Sequence, residues 1–294
     1  MLGAASVSRA PVGRAPTISI LHATFRRPLG PIPVKETWLE RAHDPDLVDY
    51  VLAMDADDPE TVKLTDGHNR VVGSPGGGFV TSVRNWNAAA SRARGDLLVV
   101  VADDLLPPPG WDVELRRIVG TLDPQEVKFA VKFSDSPFPN DVLLRHPVVS
   151  RAFYERFGLF SNQYRGVYCD NDITAKAFWH AVILDGRRLV MEHRHPTLES
   201  TERPSSSHTR VNDDVEYEFG KKVFVANWSN RQRLAPRYLV STPVGVTCGR
   251  RVVAIRWRNI ARSSIRYYVV RTRRAAVLLL HPRSLLSRVG PPRP

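Results

Sequence analysis

The sequence predicts an α/β fold with a mostly parallel central sheet flanked by helices. The run Leu97–Val101 is apolar, rich in β-branched residues and free of alternation, which is typical of a strand buried on both faces. From residue 17 to residue 133 the candidate elements follow the order β-α-β-β-α-β-α-β. Such an order favours parallel strands joined by helical crossovers.

The elements of the first half are bounded by glycine and proline residues. Pro28 ends the first strand, the glycines at 76–78 predict a flexible loop, and Gly95 ends the helix before the central strand. The predicted strands span 17–24, 49–54, 71–72, 97–101 and 127–133, and the predicted helices span 35–41, 80–94 and 111–119.

In the second half, a predicted strand at 188–192 lies between helical segments. The polar residues at 198–214 predict a mobile loop. Helices are predicted at 148–157, 173–181 and 215–226.

The composition divides the chain into three segments. Residues 1–16 are rich in Ala, Pro, Ser and Arg and predict a disordered leader, and residues 17–230 predict a globular domain. Residues 231–294 contain 15 Arg and no Lys, Asp or Glu. Since the whole chain carries a formal charge of +12, the other residues carry −3, and the basic character belongs to this C-terminal extension.

The C-terminal extension is a candidate docking segment. Placed on a helix, five of its arginines fall on one side, with apolar residues on another. We expect it to bind an anionic membrane surface, whereas nucleic acid is less favoured because no nucleic-acid-binding motif is visible. The competing interpretation is a binding protein that works through this extension on a non-catalytic α/β domain. The five arginines are Arg250, Arg251, Arg258, Arg262 and Arg266.

Cysteine content and hydropathy predict the compartment. The two cysteines, Cys169 and Cys248, are too few for a disulfide framework, which favours a reducing environment. Residues 1–17 lack the apolar core of a secretory signal, and the apolar run at 275–280 is far shorter than the about 20 residues of a membrane span. We therefore expect a cytoplasmic protein that docks at the inner face of a membrane.

Acidic and other polar side chains gather where the predicted strands end or helices begin. Because the carboxyl ends of parallel strands meet at one edge of a sheet, these groups could converge on one cleft. Adjacent carboxylates repel each other, and Mg²⁺ or Mn²⁺ relieves that repulsion while taking diphosphate oxygens as further ligands. Each cluster also has a plain interpretation as a turn or a helix cap. The clusters are Thr24 with Arg26, Asp55 with Asp57 and Asp58, Asp103 with Asp104, Asp170 with Asp172, and His193 with His195.

The order of these motifs resembles the GT-A fold glycosyltransferases, especially glycosyltransferase family 2. Residues 17–28 are similar to that family's first strand and nucleotide loop, and residues 54–58 to its second strand and acidic turn. Residues 85–96 resemble its Asn-x-Gly helix followed by Ala-x-Gly-Asp. Ala102-Asp103-Asp104 with the following Pro-Pro-Pro-Gly-Trp turn resembles its D-x-D region. The resemblance implies that residues 17–230 form a Rossmann-like GT-A domain.

The resemblance further implies a metal-dependent, inverting transferase that moves a sugar from a nucleotide-diphosphate sugar to a hydroxyl acceptor. Asp104 would bind the metal directly, with Asp103 at the ribose or a metal-bound water and His193 or His195 as a further ligand. Asp170 matches the acid that serves as the base in inverting members. The residues implied to contact the nucleotide sugar are Thr24, Arg26, Asp55, Arg84, Asn87 and Asp103.

Three positions depart from the family pattern. Ala102 stands in place of the first acid of D-x-D, Ala89 in place of a glycine, and Cys169 in place of the glutamate before the base. The first departure leaves the cation with fewer ligands, and the third leaves open whether Asp170 or Asp172 is the base. A related nucleotidyltransferase is disfavoured because no glycine-rich loop follows the first strand.

Overall fold

A computed structural model describes residues 14–27, 29–136, 143–194, 206–228 and 240–241 of the chain. The leader predicted at 1–16 and the extension predicted at 231–294 therefore fall almost entirely outside the described residues, and both remain predictions. None of the helices in the described ranges combines the length and apolar character needed to cross a bilayer.

Strands and helices alternate along the described chain. The strands are β1 Ile18–Ala23, β2 Val48–Asp55, β3 Arg70–Gly73, β4 Leu97–Val101, β5 Leu105–Leu106, β6 Phe129–Ser134, β7 Val148–Ser150, β8 Val182–Val190, β9 Glu192–His193 and β10 Val240–Ser241. The helices are α1 Ile32–Glu40, α2 Pro59–Leu64, α3 Ser82–Arg92, α4 Trp111–Val119, α5 Arg151–Phe157, α6 Cys169–His180, α7 Ser206–Val211 and α8 Asp214–Trp228, with a short 3₁₀ helix at Pro45–Leu47.

Eight strands form one sheet in the order β10-β8-β6-β7-β4-β1-β2-β3, and β5 pairs with β9 in a second, two-stranded sheet. Within the large sheet every pairing is parallel except those of β7, which runs antiparallel to both β4 and β6. The predicted mostly parallel sheet is therefore confirmed. Because β7 runs against its neighbours, the residues that precede it lie at the edge where β4 and β6 end.

Helices cover both faces of the sheet. No residue of β4 is more than 1% exposed, which confirms that this strand is buried on both sides. Leu97 and Val99 pack on the side of Trp111 in α4. Leu98 and Val100 pack on the opposite side, with the buried residues of α3, α5 and α6. The absence of polar alternation in this strand thus follows from its position inside a three-layer α/β/α domain.

The structure corrects the helix predicted at 148–157. Its first three residues form β7, and α5 begins only at Arg151. Val148 and Val149 are β-branched and fully buried in the sheet, which favours the extended conformation. The Ser150 side chain accepts a hydrogen bond from the Phe153 backbone N–H at 3.2 Å and caps the helix.

Smaller differences affect element boundaries. The acidic turn after β2 leads into the unpredicted helix α2, whose first turn is capped by the Asp58 carboxylate on the Thr61 backbone N–H. The strand predicted at 188–192 begins earlier, at Val182, and the loop predicted at 198–214 contains α7. The sequence thus predicted the strand with a late start and missed the two short helices α2 and α7.

Gly95 lies between α3 and β4, where the chain touches β1. A Cβ atom at Gly95 would lie 2.5 Å from the Ser19 backbone N and 2.8 Å from the Ile18 carbonyl carbon. Backbone atoms of a central strand cannot move aside, so we expect Gly95→Ala to lower the free energy of unfolding by about 1–3 kcal/mol, the usual cost of overpacking. Urea unfolding followed by circular dichroism measures the change.

Gly73→Ala is the matched control for that substitution. A Cβ atom at Gly73 would meet its nearest neighbour, Asn85 Oδ1, at 3.4 Å, close to an ordinary van der Waals contact. The control should therefore retain near-native stability. Equal stability of the two variants would contradict the close approach of the Gly95 backbone to β1.

Candidate functional site

The edge of the sheet where the parallel strands end is polar and forms a cavity of about 600 Å³. Thr24 follows β1, Asp103 and Asp104 follow β4, and His146 precedes the antiparallel strand β7. All four residues line this cavity, together with Asp170 of α6. The topology thus brings residues from distant parts of the sequence to one cleft, as expected for ligand sites of open α/β sheets.

Asp103 is held by two basic residues of β1 and the loop after it. His22 Nε2 lies 3.0 Å from Asp103 Oδ1, and Arg27 Nε donates to Asp103 Oδ2 at 3.1 Å. Burial raises the pKa of Asp103, but the charges and hydrogen bonds of His22 and Arg27 outweigh burial and lower that pKa below its ordinary value. Both Asp103 oxygens are engaged, and Asp103 is not part of the cluster of potential metal ligands, so its predicted metal role remains a prediction.

Asp104, His146 and His193 form that cluster. Each offers one ligand atom, and these atoms lie within 4.8 Å of one another. One carboxylate with two imidazoles suits a divalent transition-metal ion such as Mn²⁺. Asp104 and His193 were both predicted as ligands, and the third member, His146, was not. His195, the alternative histidine, lies outside the described residues.

The hydrogen bonds of the two histidine rings determine which nitrogen faces the cluster. His146 Nδ1 lies 3.2 Å from Asp135 Oδ2, and His193 Nδ1 lies 3.0 Å from the Asp135 backbone oxygen. This network assigns the Nδ1–H tautomer to both rings and leaves Nε2 as the metal-binding nitrogen. Burial, and next the neighbouring His146, lower the pKa of His193 and favour its neutral, metal-binding form. The residues present therefore fit a divalent cation.

The two-stranded sheet fixes the distance between Asp104 and His193. In this sheet Leu105 of β5 lies opposite His193 of β9 in an antiparallel pairing. The Arg194 backbone N–H donates to the Asp104 carbonyl at 2.8 Å, and His193 Nε2 lies 3.8 Å from Asp104 Oδ1. The strand pairing and the hydrogen bond from Arg194 are backbone contacts. They therefore keep Asp104 and His193 close together without any bond between the two side chains.

Helix α6 places the two aspartates that are candidates for the catalytic base in different surroundings. Asp170 lines the cavity, whereas Asp172 does not. Asp172 is buried, and its Oδ1 accepts hydrogen bonds from Trp228 Nε1 at 2.8 Å and from the Tyr164 hydroxyl at 3.3 Å. Asp170 lies inside the helix after an N-cap at Tyr168, so it is not the cap that the sequence allowed. Burial raises the pKa of Asp170.

Asp55 and Arg84, two of the predicted nucleotide-binding residues, contact each other instead of lining the cavity. Asp55 is fully buried, and its Oδ1 accepts hydrogen bonds from Arg84 and from Asn85 at 2.8 Å each. Its other oxygen accepts a hydrogen bond from the Thr81 hydroxyl. Asp55 thus joins the end of β2 to the start of α3, and the nucleotide roles of Asp55 and Arg84 remain predictions.

Arg26 and Asn87, two further predicted contacts, also lie outside the cavity lining. Arg26 is exposed, and its backbone N–H donates to Asp58 Oδ2 at 2.6 Å. Asn87 donates to the Phe160 carbonyl at 2.9 Å and accepts from the Phe160 backbone N–H at 3.0 Å. These contacts are structural, and a nucleotide role for either residue remains a prediction.

Several residues that the structure places at the site carry no signal in the sequence pattern. His146 and Arg145 precede a strand instead of following one, and Asp135 follows β6 without a neighbouring acid. Asn85 was noted only as part of a helix motif. It lines the cavity, and its buried Oδ1 has no hydrogen-bond partner among the described residues. Only the strand direction could have singled out His146.

Comparisons with known proteins bear on the fold. No protein-family model matches the chain, and no curated protein matches it. A mannosyltransferase from Pyrobaculum calidifontis, solved with GDP-Man and Mn²⁺, superposes with a TM-score of 0.50 at 16% identity, covering 80% of this chain and 69% of that chain.

Two other solved structures match with lower TM-scores. TarS residues 1–349 from S. aureus, solved with UDP-GlcNAc, has a TM-score of 0.49 at 11% identity, covering 72% of this chain and 66% of that chain. Glucosyl-3-phosphoglycerate synthase from Mycobacterium tuberculosis, solved with Mn²⁺, UDP-Glc and phosphoglyceric acid, has a TM-score of 0.44 at 15% identity, covering 73% and 79%. From the sheet order and the match to the mannosyltransferase, the chain has the GT-A fold of glycosyltransferases.

Proposed function

We propose that this protein is a metal-dependent, inverting glycosyltransferase that moves a sugar from a nucleotide-diphosphate sugar to a hydroxyl acceptor. The observation that carries the proposal is that one cavity is lined both by the Asp104, His146 and His193 cluster and by the carboxylate of Asp170 on α6. A transfer of this kind needs a cation for the departing diphosphate and a separate base for the acceptor. The fold matches the class that performs such transfers.

Asp104, His146 and His193 would hold the divalent cation. When bound, the cation neutralises the charge that develops on the diphosphate as the bond to the sugar breaks. Arg27 and Arg145 also line the cavity and add positive charge near an anionic donor. Asp103 fixes Arg27 through the 3.1 Å hydrogen bond, which restrains the orientation of the guanidinium before the donor arrives.

Asp170 would act as the general base. The acceptor hydroxyl transfers its proton to the Asp170 carboxylate while the acceptor oxygen forms a bond to the anomeric carbon and the bond to the diphosphate breaks. A carboxylate whose pKa is raised by burial is a stronger base than an exposed one. One displacement with one base inverts the configuration at the anomeric carbon, which is why we propose inversion.

The cavity also supports a donor site with a buried polar floor. Asn85, Thr24 and Asp103 all line the cavity, and the buried Oδ1 atom of Asn85 has no hydrogen-bond partner among the described residues. A buried acceptor left unpaired is costly, so a donor that offers a hydrogen to Asn85 gains binding energy. Nucleotide bases and ribose hydroxyls both offer such hydrogens.

The C-terminal extension, residues 231–294, would dock the enzyme on an anionic membrane surface near its acceptor. Its 15 arginines without any acid make it far more basic than the rest of the chain. Each arginine near such a surface contributes about 1 kcal/mol of binding. This use of the extension rests on sequence alone.

Removal of a metal-cluster residue should strongly weaken cation binding. We expect Asp104→Ala, His146→Ala and His193→Ala each to weaken Mn²⁺ binding by more than the about 10–100-fold that loss of an outer-shell partner costs. Electron paramagnetic resonance of free Mn²⁺ during titration measures the affinity. His43→Ala, which removes an exposed histidine paired with Asp44, is the control. Unchanged affinity in Asp104→Ala would refute the site.

Replacement of the proposed base should separate binding from transfer. We expect Asp170→Asn to keep Mn²⁺ and donor affinity and to lower the transfer rate by about 10²–10⁴-fold. Calorimetric titration with GDP-Man, UDP-Glc and UDP-GlcNAc identifies the donor, and a product assay with that donor measures transfer. Asp172→Asn is the control, since its carboxylate contacts Trp228 outside the cavity. If Asp172→Asn alone lost transfer, the base would be misassigned.

Neutralising the basic face of the extension should detach the protein from anionic membranes. In a full-length variant, replacing the five arginines at 250, 251, 258, 262 and 266 with glutamine should lower affinity for phosphatidylserine vesicles by more than tenfold, given about 1 kcal/mol per charge. Vesicle co-sedimentation measures binding, with phosphatidylcholine vesicles as the control. Equal sedimentation of both proteins, or tighter binding to an oligonucleotide than to vesicles, would contradict membrane docking.

A further inference from the structure

Asp135 contacts both histidines of the metal cluster without being a ligand itself. It follows β6 and is buried. Its Oδ2 faces His146 Nδ1 at 3.2 Å, and its backbone oxygen faces His193 Nδ1 at 3.0 Å. It is not a member of the cluster of potential ligands. One residue thus provides an acceptor for the Nδ1–H group of each ring.

These two contacts determine how the rings can act. An ionised carboxylate and a backbone carbonyl can only accept hydrogen bonds, so the proton of each neutral ring must reside on Nδ1. The Nε2 lone pair of each ring is then available, and His193 Nε2 lies 3.8 Å from Asp104 Oδ1. Without the acceptor, His146 could hold its proton on Nε2 or rotate away, and either change would remove a ligand.

The charge of Asp135 is compensated on its other oxygen. Lys132 Nζ lies 2.9 Å from Oδ1, and Arg145 NH1 lies 3.5 Å from the same atom. Two cationic side chains thus face one oxygen of the Asp135 carboxylate, and His146 faces the other oxygen.

We propose that Asp135 is the positioning residue of the metal site, orienting His146 through its carboxylate and His193 through its backbone carbonyl so that both present Nε2 beside Asp104. The inference rests on the proposed metal-dependent function. In this role Asp135 orients the metal-binding histidines and does not itself contact the donor or the acceptor. Such outer partners commonly affect metal affinity by about 10–100-fold.

Two measurements on the metal site test the assignment. In Asp135→Asn the amide can no longer satisfy His146 and both cations, so Mn²⁺ affinity should fall by about 10–100-fold, with a matching loss of visible absorption bands in a Co²⁺ titration. Asp172→Asn is the matched control, because it replaces a buried aspartate whose partners are Tyr164 and Trp228. A folded Asp135→Asn protein with wild-type Mn²⁺ affinity would overturn the proposal.

A wild-type measurement covers the case in which Asp135→Asn fails to fold. Long-range ¹⁵N–¹H correlation spectra of histidine-labelled, metal-free protein report the tautomer of each ring. His146→Gln and His193→Gln spectra assign the two signals. The Nδ1–H form in both rings supports the proposal, and the Nε2–H form in His146 overturns it. Metal affinity that depends on Asp135 in a protein without transfer activity would refute the proposed reaction and leave this inference standing.

Discussion

The antiparallel insertion of β7 between β4 and β6 is the constraint on which the candidate site depends. A parallel strand delivers the residue that follows it to the ligand edge, whereas an antiparallel strand delivers the residue that precedes it. Asp104 and Asp135 reach the edge in the first way and His146 in the second. With β7 parallel, His146 would lie at the opposite edge, and the cluster would lose one of its two imidazoles.

Charge compensation decides which acidic residues at this edge remain available for chemistry. Asp55, Asp103 and Asp135 each carry a basic partner within 3.1 Å and are tied to the framework. Among the described residues, the Asp104 carboxylate has basic nitrogens of Arg27 and His193 at 3.8 Å each. Asp104 therefore retains an oxygen that can move onto a cation, whereas Asp103 would have to break two hydrogen bonds. Asp103 in turn orients Arg27, and Asp135 orients the two histidines of the metal cluster.

The sequence predicts well those features that depend on local pattern. The strand Leu97–Val101 and the helix Trp111–Val119 were predicted with the bounds that the structure shows, because an unbroken apolar run and a proline-glycine turn mark them. The direction of a strand leaves no such mark, and the sequence predicted a helix where Val148–Ser150 forms the antiparallel strand β7. His146 was missed for that reason. The acidic motifs predicted that aspartates would lie at the ends of the strands. They did not indicate which of these carboxylates would be paired with a side chain such as His22.

The sequence also left open whether Asp170 or Asp172 is the proposed base, and the helix geometry distinguishes the two. Residues two apart on an α-helix, with 3.6 residues per turn, point about 200° apart, so one helix cannot aim both carboxylates at the same cavity. Tyr168, whose backbone is in the left-handed conformation, precedes the first residue of α6. Trp228 of α8 donates a hydrogen bond to the Asp172 carboxylate, which does not line the cavity. Asp170 is therefore the acid of this pair that lines the cavity. The proposed direct displacement needs one such carboxylate as its base, whereas a double displacement would need a further group to form a covalent intermediate.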